Sequence, residues 1–273
     1  MANIFKYKLN NVGLGDLTFF CGDMLGKLTK GDKLMINIDD LLLTNYRNNN
    51  PKSTEFIMEY IKFLLDGFDV LLVNTVELDK SFINWELNNN IFKEMRLNPE
   101  VSKVIKEKFS SGESNPIYKN SIIFFTKVRD YNFENFKTYS SKIWDKLNNS
   151  NYNIILLGER EIIYNYEYTI LTNKKVYTIY DELIKNLNPD KIIDLTVENF
   201  NLEELSVKNI INDLTLVSNN KHVIVVGGGG FFCTTLFTDK LLSINDSDIY
   251  NKFSNEHNKH VFNNIDDLLN KII

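Results

Sequence analysis

Short apolar runs of strand length alternate with segments whose apolar residues recur at helical spacing, and the alternation starts twice along the chain. This pattern predicts parallel sheets: each helix carries the chain back, so that the next strand starts in the same direction through a right-handed crossover. The first series opens with a strand over residues 4–9. It passes through a turn over residues 10–16 and enters a helix over residues 17–28. Leu17, Phe20, Cys21, Met24, Leu25 and Leu28 share one face of that helix. Residues 33–38 read as a second strand. Residues 54–66 form an amphipathic helix capped by Ser53 or Thr54. Residues 68–74 have the continuous apolar character of a buried strand. Residues 90–108 read as a helix interrupted near Pro99.

Residues 110–116 concentrate Ser, Gly, Asn and Pro and read as a linker. The second series follows it. Strands are expected over residues 121–128, 152–157, 191–195 and 221–226. Helices are expected over residues 133–147, 180–187, 202–217, 231–240 and 261–273. The fold class is therefore α/β, with two Rossmann-like domains, 1–112 and 113–273, whose parallel sheets face a central cleft. A length of 273 residues suits two domains of ordinary size. A chain that long buries roughly 75% of its unfolded surface and needs no staples.

Composition narrows the function. The net charge is −5 and no long basic stripe is present, which disfavours a nucleic-acid partner. Cys21 and Cys233 are the two cysteines, and neither belongs to a CxxC or Cys/His cluster. A disulfide framework and a structural zinc site are disfavoured, and a reducing compartment, the cytoplasm, fits. The first ten residues lack the apolar core of a signal peptide. The longest apolar runs are strand-sized, so no transmembrane segment is expected. His257 and His260 have no carboxylate-rich partner segment, so no metal ligand set is expected.

Chemistry concentrates at predicted strand ends. Gly227, Gly228, Gly229 and Gly230 follow a β-branched strand directly and precede a predicted helix. Glycines there let the backbone approach a ligand, and the helix N-terminus adds partial positive charge, which suits a diphosphate. The hydroxyls of Thr234 and Thr235 lie close enough in sequence to add donors. The same glycines also fit a tight turn packed against a neighbour. The spacing is neither GxGxxG nor GxxxxGK[ST]. Gly13, Gly15 and Asp16 occupy the first strand-to-helix turn. Asp16 reads either as a helix-capping acid or as a general base, with Gly13 and Gly15 on the substrate side. Lys127, Arg129 and Asp130 end the first strand of the second half. Two cations there suit a diphosphate, and they also suit a solvated strand end. Gly158, Glu159, Arg160 and Glu161 end the next strand. Glu159 or Glu161 could hold ribose hydroxyls and Arg160 a phosphate, or the segment is an ordinary charged loop.

Together these motifs resemble the GT-B glycosyltransferases, and in layout the lipopolysaccharide heptosyltransferase-like family. Gly15-Asp16-Leu17 is similar to that family's Gly-Asp turn before an apolar helix, and the resemblance implies that Asp16 is the catalytic base. The segment from Thr126 to Asp130 is similar to the family's donor-diphosphate strand, and Leu157-Gly158-Glu159 to its later Gly-acid strand end. The chain departs from the family where Phe231 and Phe232 follow the four glycines, in a turn that usually carries Asp, Gly and His. Its N-terminal half is also short. The resemblance implies an inverting, metal-independent, cofactor-free transfer of sugar from a nucleotide-sugar donor to a glycan, lipid or protein acceptor. Two alternatives stand beside it. One is a non-catalytic nucleotide- or partner-binding protein on a decayed GT-B scaffold. The other is a sugar-nucleotide epimerase, with Glu159 and Glu161 as its acid/base candidates.

Overall fold

The structure is a computed structural model. It describes residues 2–10, 13–38, 53–73, 80–85, 103–104, 107–108, 116–161, 176–198, 206–220, 222–225, 241–244, 260–262 and 265–272. The chain divides into two compact units. The first is Met1–Lys108 with Asn201–Ile210, and the second is Phe109–Phe200 with Ile211–Ile273.

In the first unit, β1 (Ile4–Leu9) leads to α1 (Leu14–Lys27), and β2 (Lys33–Ile38) leads to α2 (Ser53–Leu64). β3 (Asp69–Leu72) and β4 (Ile83–Trp85) follow. The sheet order is β3-β2-β1-β4, and all three pairings are parallel. Leu17, Phe20, Cys21 and Met24 of the expected stripe are buried on α1, and Phe19 with them. The helix starts three residues earlier than the apolar spacing predicts. Gly13 takes the N-cap position without a side-chain cap, and the Leu17 amide donates to the Gly13 carbonyl at 2.9 Å. Residues 14–16, expected as turn, are thus the first turn of the helix. Between α1 and α2, the Thr18 hydroxyl and the Tyr60 hydroxyl share a buried hydrogen bond of 2.8 Å.

The buried-strand reading of residues 68–74 needs correction. β3 spans only Asp69–Leu72 and lies at the edge of the described sheet. Val70 is buried while Leu71 is 41% exposed, because one face of an edge strand turns inward and the other stays open. β4 had no recognisable signal. Its three residues show neither alternation nor an apolar run, and Trp85 alone of them is buried.

The second unit contains β5 (Ser121–Phe125), β6 (Lys127–Arg129), α3 (Asp130–Asn149), β7 (Asn153–Leu157) and β8 (Val176–Thr178). It continues with α4 (Tyr180–Asn186), β9 (Ile192–Asp194), the last part of α5 (Val207–Asn219), β10 (His222–Val225), β11 (Leu241–Ile244), β12 (His260–Phe262) and α6 (Ile265–Ile272). The main sheet has the order β12-β11-β10-β5-β7-β9, parallel at every pairing. Renumbered along the sheet strands alone this is the 3-2-1-4-5-6 order of a doubly wound nucleotide-binding sheet. One core joins Ile122 and Phe124 of β5, Ile154 and Leu156 of β7 and Ile224 of β10 to Phe136, Trp144 and Leu147 of α3. Phe136 and Trp144 meet edge to face at 5.3 Å. Ile123, Ile155 and Val223, which alternate with these, are also buried, as a parallel sheet covered on both faces requires.

Two further expectations change here. The strand over residues 121–128 is two strands. β5 stops at Phe125, and β6 pairs antiparallel with β8 as a separate ribbon. Thr126 marks the break: its amide makes the last ladder bond to β7, to the Leu157 carbonyl, and its hydroxyl reaches the Glu159 carbonyl beyond that strand. The closing helix begins at Ile265, since His260–Phe262 pair with β11 as a strand. Of the linker over residues 110–116 only Pro116 is described, where it opens a 3-10 turn; most of the helix over residues 90–108 and the helix over residues 231–240 lie outside the described residues. Among the described residues, no helix is long and apolar enough to cross a membrane.

Candidate functional site

In each unit the first strand is flanked on one side by the strand that follows it and on the other by a strand reached later. β1 lies between β2 and β4, and β5 lies between β7 and β10. Such a reversal of strand order is the switch point at which open α/β sheets bind ligands, outside the carboxyl ends of the strands. The sequence candidates Asp16 and Lys127 follow β1 and β5, so both stand at switch points of their own sheets.

At the first, Asp16 is the third residue of α1 and half-buried. A side chain added at Gly13 would meet an Asp16 carboxylate oxygen at 2.7 Å. The carboxylate therefore folds back over the N-cap, where the helix dipole favours negative charge, and Gly13 leaves it room. One stripe of α1 holds Asp16, Phe20, Asp23 and Lys27, spaced four, three and four residues apart. Phe20 meets Trp85 edge to face at 5.4 Å and Tyr7 at 6.0 Å. Asp23 accepts from the Trp85 indole N–H at 3.0 Å and from Lys27 at 2.8 Å. Trp85 stands opposite Leu9 in the β1–β4 pairing. This stripe is the side of α1 that packs toward the strands of the switch point.

At the second, Thr126 is a buried hub. Its amide donates to the Leu157 carbonyl at 2.9 Å, and its hydroxyl donates to the Glu159 carbonyl at 2.8 Å. The Thr178 hydroxyl reaches the same Glu159 carbonyl at 2.9 Å. Gly158 has φ +112°, and a Cβ there would lie 2.5 Å from the Thr126 hydroxyl. Only glycine meets both demands. The Glu159 side chain is 1% exposed and lies 3.5 Å from the ammonium of Lys127, which is 33% exposed. Arg129 pairs with Val176 in the ribbon, and Asp130 opens α3.

Arg160 sits with other partners. Its guanidinium lies 3.1 Å from Asp194, donates to the Thr196 hydroxyl at 2.9 Å and covers the Tyr180 ring at 5.4 Å. The Tyr180 hydroxyl donates to Asp194 at 2.7 Å. Burial works against ionisation of Asp194, yet the bonds from Thr196 and Tyr180 outweigh it and hold its pKa below 3.8. Burial, followed by the bond to Asp194, raises that of Tyr180 above 10.0. Glu161 is exposed, and its amide donates to the Glu198 carbonyl at 2.9 Å.

The structure thus joins Lys127 to Glu159, and Arg160 engages Asp194, Thr196 and Tyr180. Residues 227–230, Thr234 and Thr235 lie outside the described residues, and Gly227 is two positions beyond Val225, the last residue of β10. Sequence reasoning did not single out Thr126, Thr178, Tyr180, Asp194 or Thr196 as site residues. Thr126 carried a signal as a hydroxyl at a strand end, whereas Tyr180 and Asp194 meet only through folding. Among the described residues, no three of His, Cys, Asp and Glu group closely enough to hold a metal ion.

No known family description matches the sequence, and no curated protein matches it. Solved structures do. The E. coli heptosyltransferase WaaC with ADP is 8% identical with a TM-score of 0.48, covering 96% of this chain and 91% of that one. WaaC with ADP-2-deoxy-2-fluoro heptose is 9% identical with a TM-score of 0.46, covering 90% of each chain. A glycosyl transferase family 9 protein of Veillonella parvula DSM 2008 is 10% identical with a TM-score of 0.36, covering 88% and 80%.

Proposed function

We propose that this chain transfers a sugar from a nucleotide-sugar donor to an acceptor hydroxyl, as a GT-B-type glycosyltransferase. The observation that carries the reading is the adjacency of β5 and β10 in the second sheet. They are far apart in sequence, yet their carboxyl ends lie side by side. One is followed by Thr126 and Lys127, and the other runs into Gly227, Gly228, Gly229 and Gly230. An ammonium together with glycine amides would be chemistry for a diphosphate. Arg129, Thr234 and Thr235 would add donors, and the exposed Glu161 would face the ribose hydroxyls. Glu159 and Arg160 are the weakest of the assigned ligands, because Glu159 is 1% exposed and paired with Lys127, and Asp194 and Thr196 already engage Arg160.

In the first unit Asp16 would take the proton of the acceptor hydroxyl. A carboxylate placed for that task contributes about 10²–10⁴ in rate. Amides and cations would carry the charge of the leaving diphosphate in place of a metal, and the transfer would be inverting. The acceptor is a hydroxyl of a glycan, lipid or protein, and the compartment is the cytoplasm.

A second reading has one observation in its favour. A carboxylate folded back over Gly13 is also what a simple capping acid does, and that fits a nucleotide- or partner-binding protein without catalysis. Thermal melting against UDP-, GDP-, ADP- and CMP-sugars and the free nucleotides tests the donor site. A ligand at about 100 times its dissociation constant should stabilise the protein by about 2.7 kcal/mol. No shift with any of them overturns the donor site. Asp16→Asn then separates the readings: it should abolish donor turnover and leave the melting shift intact, whereas binding with no turnover by the unaltered protein favours the second.

A further inference from the structure

Asp23 is a carboxylate where the fold has no evident need of one. It lies among apolar positions of α1, its side chain 5% exposed, with Phe19, Phe20 and Met24 buried around it. Burying a charge among apolar groups costs stability, and a well-packed apolar residue of similar size often serves as well or better. What a buried polar contact adds is direction. Apolar packing tolerates small rotations and slides, whereas an indole N–H aimed at a carboxylate oxygen does not.

The partner is equally particular. β4 is three residues long, Ile83 and Asn84 are exposed, and Trp85 is its one buried side chain. Beyond its backbone pairing with β1, Trp85 is the side chain that packs the strand on the unit, and Trp85 is held by Phe20 and Asp23 of α1. Trp85 also stands opposite Leu9, at the carboxyl end of the β1–β4 gap. Asp16 and Asp23 are seven residues apart, which on an α-helix is about two turns and about 20° of rotation. They lie on the same stripe of the helix. A rotation of α1 that shifted Asp23 from the indole would swing Asp16 by the same angle.

We propose that Asp23 and Trp85 form a positioning pair that fixes α1 on β4 and so aims Asp16 at the switch point of the first sheet. Asp23 does not touch the reacting atoms; it acts through Asp16. This proposal rests on the glycosyltransferase reading for its catalytic consequence, and not for its structural one.

The test compares the unaltered protein with Asp23→Asn, Asp23→Leu and Trp85→Phe. The first readout is release of nucleotide from ADP-, UDP-, GDP- and CMP-sugars, with kcat and KM separated. Asp23→Leu and Trp85→Phe should lower kcat by about 10- to 100-fold, the scale of a misplacement of about 1 Å, with donor KM changed less than about twofold. Asp23→Asn should recover most of kcat, because its amide oxygen still accepts from the indole. A folded Asp23→Leu protein with unchanged kcat overturns the proposal, as does an Asp23→Asn protein as impaired as Asp23→Leu.

The second readout is amide hydrogen exchange, which needs no turnover. The Leu17 amide, bonded to Gly13 in the first turn of α1, should exchange at least about tenfold faster in Asp23→Leu and not in Asp23→Asn, while the β5–β7 amides stay unchanged. Equal exchange at Leu17 in all proteins overturns the proposal. Should no donor be turned over by the unaltered protein, the glycosyltransferase reading fails while the exchange result still decides the positioning pair.

Discussion

The two sheets share one plan and finish their first strands differently. β1 runs through Gly13 straight into the helix that presents Asp16. β5 instead breaks at Thr126 and inserts a short antiparallel ribbon, so that Lys127 is displayed before α3 begins. The first ending leaves a carboxylate at a helix N-terminus, and the second leaves an ammonium backed by a buried Glu159. A carboxylate suits taking a proton, and an ammonium suits holding an anion. The same switch-point geometry can thus be fitted for opposite charges by whether the strand runs straight into a helix or first into a short ribbon.

The cores beneath the two ends offer the largest effect with which to sharpen the contrast. Trp144→Ala removes the ring packed on Phe124 and Phe136 and should cost about 4 kcal/mol. Denaturant titration followed by Trp85 fluorescence would show whether the first unit melts with the second or separately. The glycines come next. Gly158→Ala combines a left-handed φ with a Cβ driven to 2.5 Å from the Thr126 hydroxyl and should cost about 3 kcal/mol, from backbone strain plus a disturbed buried hydrogen bond. Gly67→Ala, at φ +92° with open space around it, should cost about 1 kcal/mol from strain alone. Equal melting losses for the two would break the claim that the second strand end depends on that close approach.

Tyr60→Phe removes one hydroxyl from the α1–α2 contact. Thr18 keeps its bond to the Leu14 carbonyl at 2.6 Å, so the loss should be about 1 kcal/mol in a chemical melt. At Asp32 the effect depends on pH. Its carboxylate accepts first from the Thr29 amide, then from the Asn3 amide and both their side chains, and these bonds lower its pKa from 3.8 to about 2. A depressed acid stabilises the fold above its unfolded value and loses that contribution as pH falls toward its folded one. Asp32→Asn should therefore differ most from the unaltered protein above about pH 4, and the two acid-unfolding curves should converge by about pH 2.

Much of the scaffold was legible in sequence because local chemistry decides it. β1 and β2 came out at their predicted residues, since period-two and continuous apolar runs reflect burial that each strand keeps in place. The helices that fall within the described residues match their predicted segments with ends displaced by a few residues. α1 has no capping side chain, and the first turn of α3 lacks the apolar spacing that marks its middle. β4, β8, β11 and β12 were not legible, because strands of three or four residues show no period of their own, and these lack the longer apolar run that marked the equally short β3 and β10. Asp16, Lys127 and Glu159 were legible as charged residues at strand ends, but their partners were not. The contacts of Asp23 with Trp85 and of Arg160 with Asp194 span 62 and 34 residues, and no local pattern encodes them.

The sequence by itself determined the α/β class, the repeated strand–helix alternation and the strand ends at which charge collects, because propensity and periodicity act over a few residues. Only the tertiary structure decided which strands are neighbours. That decision set the switch points beside β1 and β5, turned Thr126 into a hub and spent Arg160 on Asp194. The physical reason is that strand order and side-chain pairing are settled by burial of whole faces and by hydrogen bonds across long loops, and each is a property of the assembled sheet.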